Sequence, residues 1–306
     1  MATLADRAKA LATQEIPEMP QSVLVYGAPK TGKTALVGQL ARKYKVIWLD
    51  IDRGSQTLFT AVPQEFWPNI TVVDIFDTPT DPVAIKTLTA IVKNRGILKI
   101  CAGHGAVNCV QPACRGKPNQ LEVDFSTLDT KTVLVCDALS NLSDSAMAHA
   151  LGQQGDFVFK KKEYTHYDNQ GLLLRNILTW QKLLRCHRVF ISHEEEIQHE
   201  DGTRKITPVG GTRNFAKKLG GSFDHMVYTS VRAKKYCISS LATSDMKVQA
   251  GNRNNLDIKS ADDFVNIFSV QHILDGKTSD FNFSHEASMI AEEEAEAATK
   301  TATAVN

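Results

Sequence analysis

Short apolar runs, each closed by a glycine or a polar residue, recur along the chain and are separated by longer stretches of helical period. VLVY at residues 23–26, VIWL at 46–49, VLVC at 133–136 and VFI at 189–191 carry apolar side chains at every position. Runs of that kind belong to strands buried on both faces, as in a parallel sheet covered by helices on each side. Two further strands, MVYTSV at 226–231 and YCISS at 236–240, come later. Between the second and third of these runs, residues 81–96 read as a helix, with Asp81 as N-cap, Pro82 in the first turn and Gly96 at the stop. Further helical patterns follow Asp137, span residues 171–184 around Trp180, and form an amphipathic stretch at 261–274. Strand and helix alternate, which predicts an α/β fold with a mainly parallel sheet.

Composition narrows the class. The 306 residues are 42% hydrophobic and 23% charged, with a formal net charge of +1, so any nucleic-acid site must be a local patch. No apolar run approaches the roughly 18 residues of a membrane span, and no signal peptide opens the chain. Six cysteines in a chain this long do not make a disulfide scaffold, and a reduced cytoplasmic setting is expected. The expected organisation is a leader at 1–20, a core at 21–260 with an insertion at 97–118, a C-terminal helix region at 261–286 and an acidic, then Ala/Thr-rich, disordered tail at 287–306.

The chemistry begins between the first strand and the helix after it. Gly27-Ala28-Pro29-Lys30-Thr31-Gly32-Lys33-Thr34 matches G-x4-G-K-[ST], and Ala35 continues into the helix. Glycines let backbone N–H groups wrap phosphates, Lys33 reaches the β- and γ-phosphates, and Thr34 offers its hydroxyl to magnesium. A nucleoside triphosphate is the expected ligand. Asp137, closing the VLVC run, is the expected second magnesium acid. Asp50 and Asp52 close the VIWL run, where either can polarise a water beside the γ-phosphate. His193 closes the VFIS run. All these polar ends are expected on one edge of the sheet, where open α/β sheets bind ligands. No N-K-x-D guanine motif is present, so adenine is the expected base.

These motifs resemble those of RecA-like ATPases, and within them the phage-encoded nucleotide-binding proteins that include single-strand annealing recombinases. VYGAPKTGKT is similar to that family's VYGxPGxGKT, Leu49-Asp50-Ile51-Asp52 to its strand-end acid, Asp137 to its magnesium acid and His193 to its polar sensor. Asp52 is shorter than the usual Glu, which implies slow hydrolysis. The resemblance implies an ATPase, stimulated by single-stranded DNA, that forms a homo-oligomeric ring or filament in the cytoplasm of a phage-infected bacterial host. Arg253, in AGNRNNLD, is similar to the arginine that replicative helicases of this class send to a neighbour's γ-phosphate; Arg232, Lys234 and Lys235 are rivals. A motor or loader ATPase acting on a protein, and an ATP-gated DNA-binding module with negligible turnover, are the alternatives.

Two stretches suit single-stranded DNA. In residues 155–167, Lys160, Lys161 and Lys162 are interleaved with Phe157, Phe159, Tyr164 and Tyr167, a pattern in which cations track phosphates and rings stack on bases. Residues 194–221 form a long, glycine-rich and apparently irregular segment carrying Arg204, Lys205, Arg213, Lys217 and Lys218. Finally, Cys101-x2-His104-x4-Cys109-x4-Cys114 lies in the insertion, with spacing suited to a structural zinc ion.

Overall fold

Alternate residues of each buried run point to opposite faces of the sheet, and that single rule organises the molecule. The computed structural model describes residues 19–78, 81–93, 96–115, 117–152, 162–198, 204–240, 248–252 and 258–269. The first turn of the fold is strand β1 (Ser22–Gly27), helix α1 (Lys33–Gly38) and strand β2 (Lys45–Asp50). Helix α2 (Gln56–Ala61), strand β3 (Ile70–Asp74) and helix α3 (Val83–Lys93) follow. A hairpin of β4 (Ile97–Cys101) and β5 (Asn119–Asp124) stands as a separate two-stranded sheet. Then come β6 (Thr132–Asp137), α4 (Leu139–Gly152), α5 (Tyr164–Trp180), β7 (His187–Gln198), β8 (Arg204–Pro208) and α6 (Arg213–Ala216). The described part closes with β9 (His225–Arg232), β10 (Lys235–Ser239), β11 (Gly251–Asn252) and α7 (Ala261–Val265).

The main sheet runs in the order β10-β9-β1-β7-β6-β2-β3. Along this path all pairings are parallel except that of β9 with β10, while β11 and β8 add to β9 and β7 as antiparallel strands. The mainly parallel α/β architecture is as the apolar runs indicate. Leu24, Tyr26, Ile47 and Leu49 pack against the side carrying Leu88, Leu142 and Leu174 of α3, α4 and α5. Val23, Val25, Val46 and Trp48 pack on the other side against Leu36, Val37 and Leu40, together with Phe264 and Phe268. With both faces covered, the strands have no polar side to show, which is why they read as continuous apolar runs.

Four local expectations are corrected. Helix α5 starts at Tyr164, not at Gly171, because Glu163 and His166 form a reciprocal capping box there, and it ends at Trp180 in a 3-10 turn. The stretch from Glu194 is not irregular: β7 continues to Gln198 and pairs antiparallel with β8, Glu194 opposite Pro208. Backbone pairing, plus an Arg204–Glu196 ion pair at 3.1 Å, outweighs the loop-like composition. Asp81 does not cap α3; the Ala84 N–H donates to the Asp77 carboxylate at 2.7 Å, while Asp81 pairs with Lys86. The cysteine-bearing insertion is closed by β5, so it extends to Asp124.

Candidate functional site

Strand register assembles the site. Gly27 lies beside His193 on one side and Thr229 on the other, and Asp50 lies beside Asp137. The first glycine is required by close approach: a Cβ at position 27 would sit 2.2 Å from the Thr229 carbonyl oxygen and 2.6 Å from its hydroxyl. Thr229 also meets the Thr31 hydroxyl at 2.8 Å, so β9 forms one wall of the glycine-rich turn.

Lys33 is buried, and its amine donates to the Gly27 and Ala28 carbonyls at 2.8 and 2.7 Å. Burial holds its pKa below the usual lysine value, against the pull of the Asp137, Glu194 and Asp52 carboxylates. The Thr34 hydroxyl donates to Asp137 Oδ2 at 3.2 Å. Burial, with Asp50 and Asp52 nearby, pushes the Asp137 carboxyl up to about 7, opposed by Thr34 and Lys33. A hydroxyl and a buried carboxylate side by side are hard oxygen donors of the kind magnesium takes.

The two acids after β2 have different surroundings. Asp50 is buried, and its two oxygens accept the Gly54 and Ser55 N–H groups, each at 3.1 Å. Asp52 is half-exposed; Oδ1 accepts from the Asn141 amide at 3.0 Å and Oδ2 stands 3.7 Å from His193 Nε2. Burial and the Lys33 ammonium hold His193 below the usual histidine value, with Asp52 pulling the other way. Lys33, Thr34, Asp52, Asp137 and His193 thus share one edge of the sheet. Arg253, Phe157, Phe159, Lys160 and Lys161 lie outside the described residues, as do residues 1–18 and 270–306.

Other contributors were not visible in the sequence. Tyr236 on β10 is 72% exposed yet lies against Gly32. With Gly32, Gln39, Ile238 and Lys259 it lines a recess of about 270 Å³ beside the glycine-rich turn. Glu194 hydrogen-bonds Tyr228, whose hydroxyl is pushed up to about 12, chiefly by burial. Only the strand order brings Tyr236 and Glu194 here. Asn141 lies four residues past Asp137, a position that a helix turn makes adjacent to Asp52.

A second groove, of about 710 Å³, lies between α5 and residues 212–222, lined by Tyr164, Tyr167, Arg175, Phe215 and Lys218 among others. The insertion gathers its four expected ligands: one donor atom each of Cys101, His104, Cys109 and Cys114 lie within 4.8 Å of one another. Among the described residues no helix is long and apolar enough to cross a membrane.

A family described as AAA domain matches residues 19–265, most of the chain. The chain belongs to that AAA domain family. Membership places it among P-loop ATPases, with ATP and magnesium as the expected ligands of residues 27–35 and Asp137. Among solved structures, the AAA domain is similar to an ATPase from the type III secretion system of pathogenic bacteria, at 10% identity and a TM-score of 0.40, over 69% of this chain and 52% of that one. It therefore spans about half the length of that protein. It is also similar to the flagellar accessory protein FlaH from Methanocaldococcus jannaschii, at 10% identity and a TM-score of 0.37, over 82% and 90% of the two chains. No curated protein matches the chain.

Proposed function

We propose that this AAA domain hydrolyses Mg-ATP and uses the cycle to act on single-stranded DNA, in phage-type recombination or strand annealing within a bacterial host. The observation that carries the reading is the meeting of Lys33, the Thr34–Asp137 pair and the Asp52–His193 pair on one sheet edge. In this reading Lys33 exchanges its two backbone carbonyls for phosphate oxygens. The N–H groups of Ala28, Lys30, Thr31, Gly32, Lys33, Thr34 and Ala35 line the phosphates, while Pro29, which has none, holds the turn's shape. Thr34 and Asp137 would hold magnesium, which would supply positive charge to offset that of the phosphates.

Asp52 orients and deprotonates the attacking water, because its carboxylate is fixed by Asn141 and faces the cleft. Asp50 holds the turn that presents it. Neutral His193 reads the γ-phosphate and passes its presence to β7. The Tyr236 recess takes the base. Arg253 completes the site from a neighbouring copy in a ring or filament.

The DNA half of the reading is supported by the groove along α5. It joins two stretches distant in sequence, setting the exposed rings of Tyr164 and Tyr167 near Arg175 and Lys218. Rings there can stack on bases at about 1–3 kcal/mol each, and the cations can follow phosphates.

ATP turnover measured with and without single-stranded DNA tests both halves. Wild-type turnover should rise with single-stranded DNA. Lys33→Ala should lose turnover in both conditions while its circular dichroism is unchanged. Tyr164→Ala combined with Tyr167→Ala should keep basal turnover and lose the stimulation. Normal hydrolysis by Lys33→Ala would remove the nucleotide assignment. Turnover that responds only to a protein partner would replace DNA with that partner.

A further inference from the structure

We propose that Cys101, His104, Cys109 and Cys114 bind one zinc ion that serves as a structural clamp, separate from the nucleotide chemistry. Three sulfurs and one imidazole nitrogen, with no carboxylate among them, are the donors zinc prefers in closed four-coordinate sites. Zinc–sulfur bonds of about 2.3 Å and a zinc–nitrogen bond of about 2.0 Å set tetrahedral donor separations of about 3.5–3.8 Å. The four donor atoms already lie within 4.8 Å of one another, and His104 Nε2 is 3.3 Å from the Cys109 sulfur. The other ring nitrogen, Nδ1, is buried without a hydrogen-bond partner, and it is Nε2 that meets a ligand sulfur.

The backbone around the sulfurs is also shaped for thiolates. The Gly103 N–H donates to the Cys101 sulfur at 3.3 Å, and the Gln111 N–H donates to the Cys109 sulfur at 3.4 Å. In each case the donor lies two residues beyond the cysteine, so both ligands sit at the tip of a tight turn whose N–H offsets negative charge on sulfur. Gly103 has no room for a side chain, since a Cβ there would stand 2.9 Å from the Cys114 sulfur. Three neutral thiols and one imidazole packed as small hydrophobes need none of these arrangements. Seven residues between Cys101 and Cys114, including Val110 at 88%, are exposed, so the loop has no core of its own to hold it.

What the ion clamps follows from the contacts of the same loop. The His104 carbonyl accepts the Phe76 N–H just beyond β3 at 3.2 Å. The next carbonyl, of Gly105, accepts the buried Thr87 hydroxyl of α3 at 2.8 Å. Gly105 has φ 76, and a Cβ would stand 2.5 Å from the Asp74 carbonyl. A glycine is therefore needed where the metal loop presses on the end of the edge strand. The ion ties the tip of the β4–β5 hairpin to that strand and to α3. Four protein ligands leave no coordination position for a substrate, so the role is mechanical.

Full-length protein purified under reducing conditions without chelator should contain about one zinc per chain by elemental analysis. Cobalt added to stripped protein should give the visible bands of a tetrahedral ion and a near-ultraviolet sulfur-to-cobalt charge-transfer band. Cys109→Ser and Cys114→Ser should each lose that band. Should either variant fold poorly, wild-type alkylation gives an independent reading: Cys109 and Cys114 should react slowly with zinc bound and quickly after chelation. ATP binding by the zinc-stripped protein should persist, which separates this proposal from the nucleotide assignment. Protein without zinc that also gives no cobalt spectrum overturns the proposal, as does alkylation of Cys109 and Cys114 at rates chelator does not change.

Discussion

Asp50 and Asp52 both lie near Asp137 where the chain leaves β2, and their neighbours separate their proposed tasks. Asp50 is enclosed and spends both oxygens on the Gly54 and Ser55 N–H groups; Asp52 keeps an oxygen toward His193. Removing a buried acceptor leaves its donors unsatisfied at a cost of about 1–3 kcal/mol, while removing a general base lowers turnover by about 10²–10⁴-fold. Asp50→Ala should therefore lower the melting temperature. Asp52→Asn should leave melting and nucleotide affinity nearly unchanged and lower kcat by a factor in that range. Thermal melts beside steady-state turnover distinguish them, and the opposite pattern would make Asp50 the acid that handles water. The spacing D-x-D in the sequence offers both acids, with Asp52 favoured; the turn at residues 53–55 engages Asp50 and leaves Asp52 out.

At the scale of elements, small hydroxyls on α4 fasten its neighbours. Ser143 Oγ accepts the Gly211 N–H at 2.8 Å and the Gln170 side-chain amide at 3.0 Å, and the same amide reaches the Ser143 carbonyl at 2.8 Å. Ser145 Oγ accepts the Ile85 N–H at 3.1 Å. Helices α3 and α5 and the segment after β8 are thus joined through two serines that a helical wheel assigns merely to a small, weakly apolar face. Ser143→Ala leaves the Gly211 N–H and the Gln170 amide short of an acceptor, for an expected loss of about 1–3 kcal/mol. Limited proteolysis should then cut first within residues 209–222, and stimulation by single-stranded DNA should fall more than basal turnover. Unchanged cleavage would show that the segment is held by Leu219 and its apolar contacts instead. Two of the corrections, the start of α5 and the extension of β7, share one cause. Polar, charged composition at 164–170 and 194–198 hid a helix start and a strand extension whose hydrogen bonds depend on specific partners.

Across the whole molecule, the edge opposite the nucleotide site is closed by His187. It accepts the Gln21 N–H at 3.1 Å and stacks on Phe268 at 4.0 Å, with Tyr44 against its edge. Burial pushes its pKa down to about 3 from 6.5, with Arg188, His225 and Lys43 adding to the shift. The folded state thus refuses a proton that the unfolded chain takes up below pH 6.5. Stability must fall as pH drops through the window from 6.5 toward 3, by up to about 1.4 kcal/mol per pH unit from this one group. Asn places an acceptor where Nδ1 lies but does not titrate. Urea unfolding at pH 7.5 and 5 should show wild type losing more stability than His187→Asn; equal losses would mean that the imidazole is not kept neutral in the fold.

Local covalent pattern was enough for the glycine-rich turn with Lys33 and Thr34, the buried strands, Asp137 at a strand end and the cysteine ladder. Each is a short-range code, read as period two, period 3.6 or a fixed ligand spacing. Tertiary structure decided what meets across long separations. Thr229 closes on Gly27, Tyr236 on Gly32, Asn141 on Asp52, and Tyr164 shares a groove with Lys218. Strand order and register set these encounters, and both arise from burying two apolar faces at once, a condition that no single stretch of sequence contains.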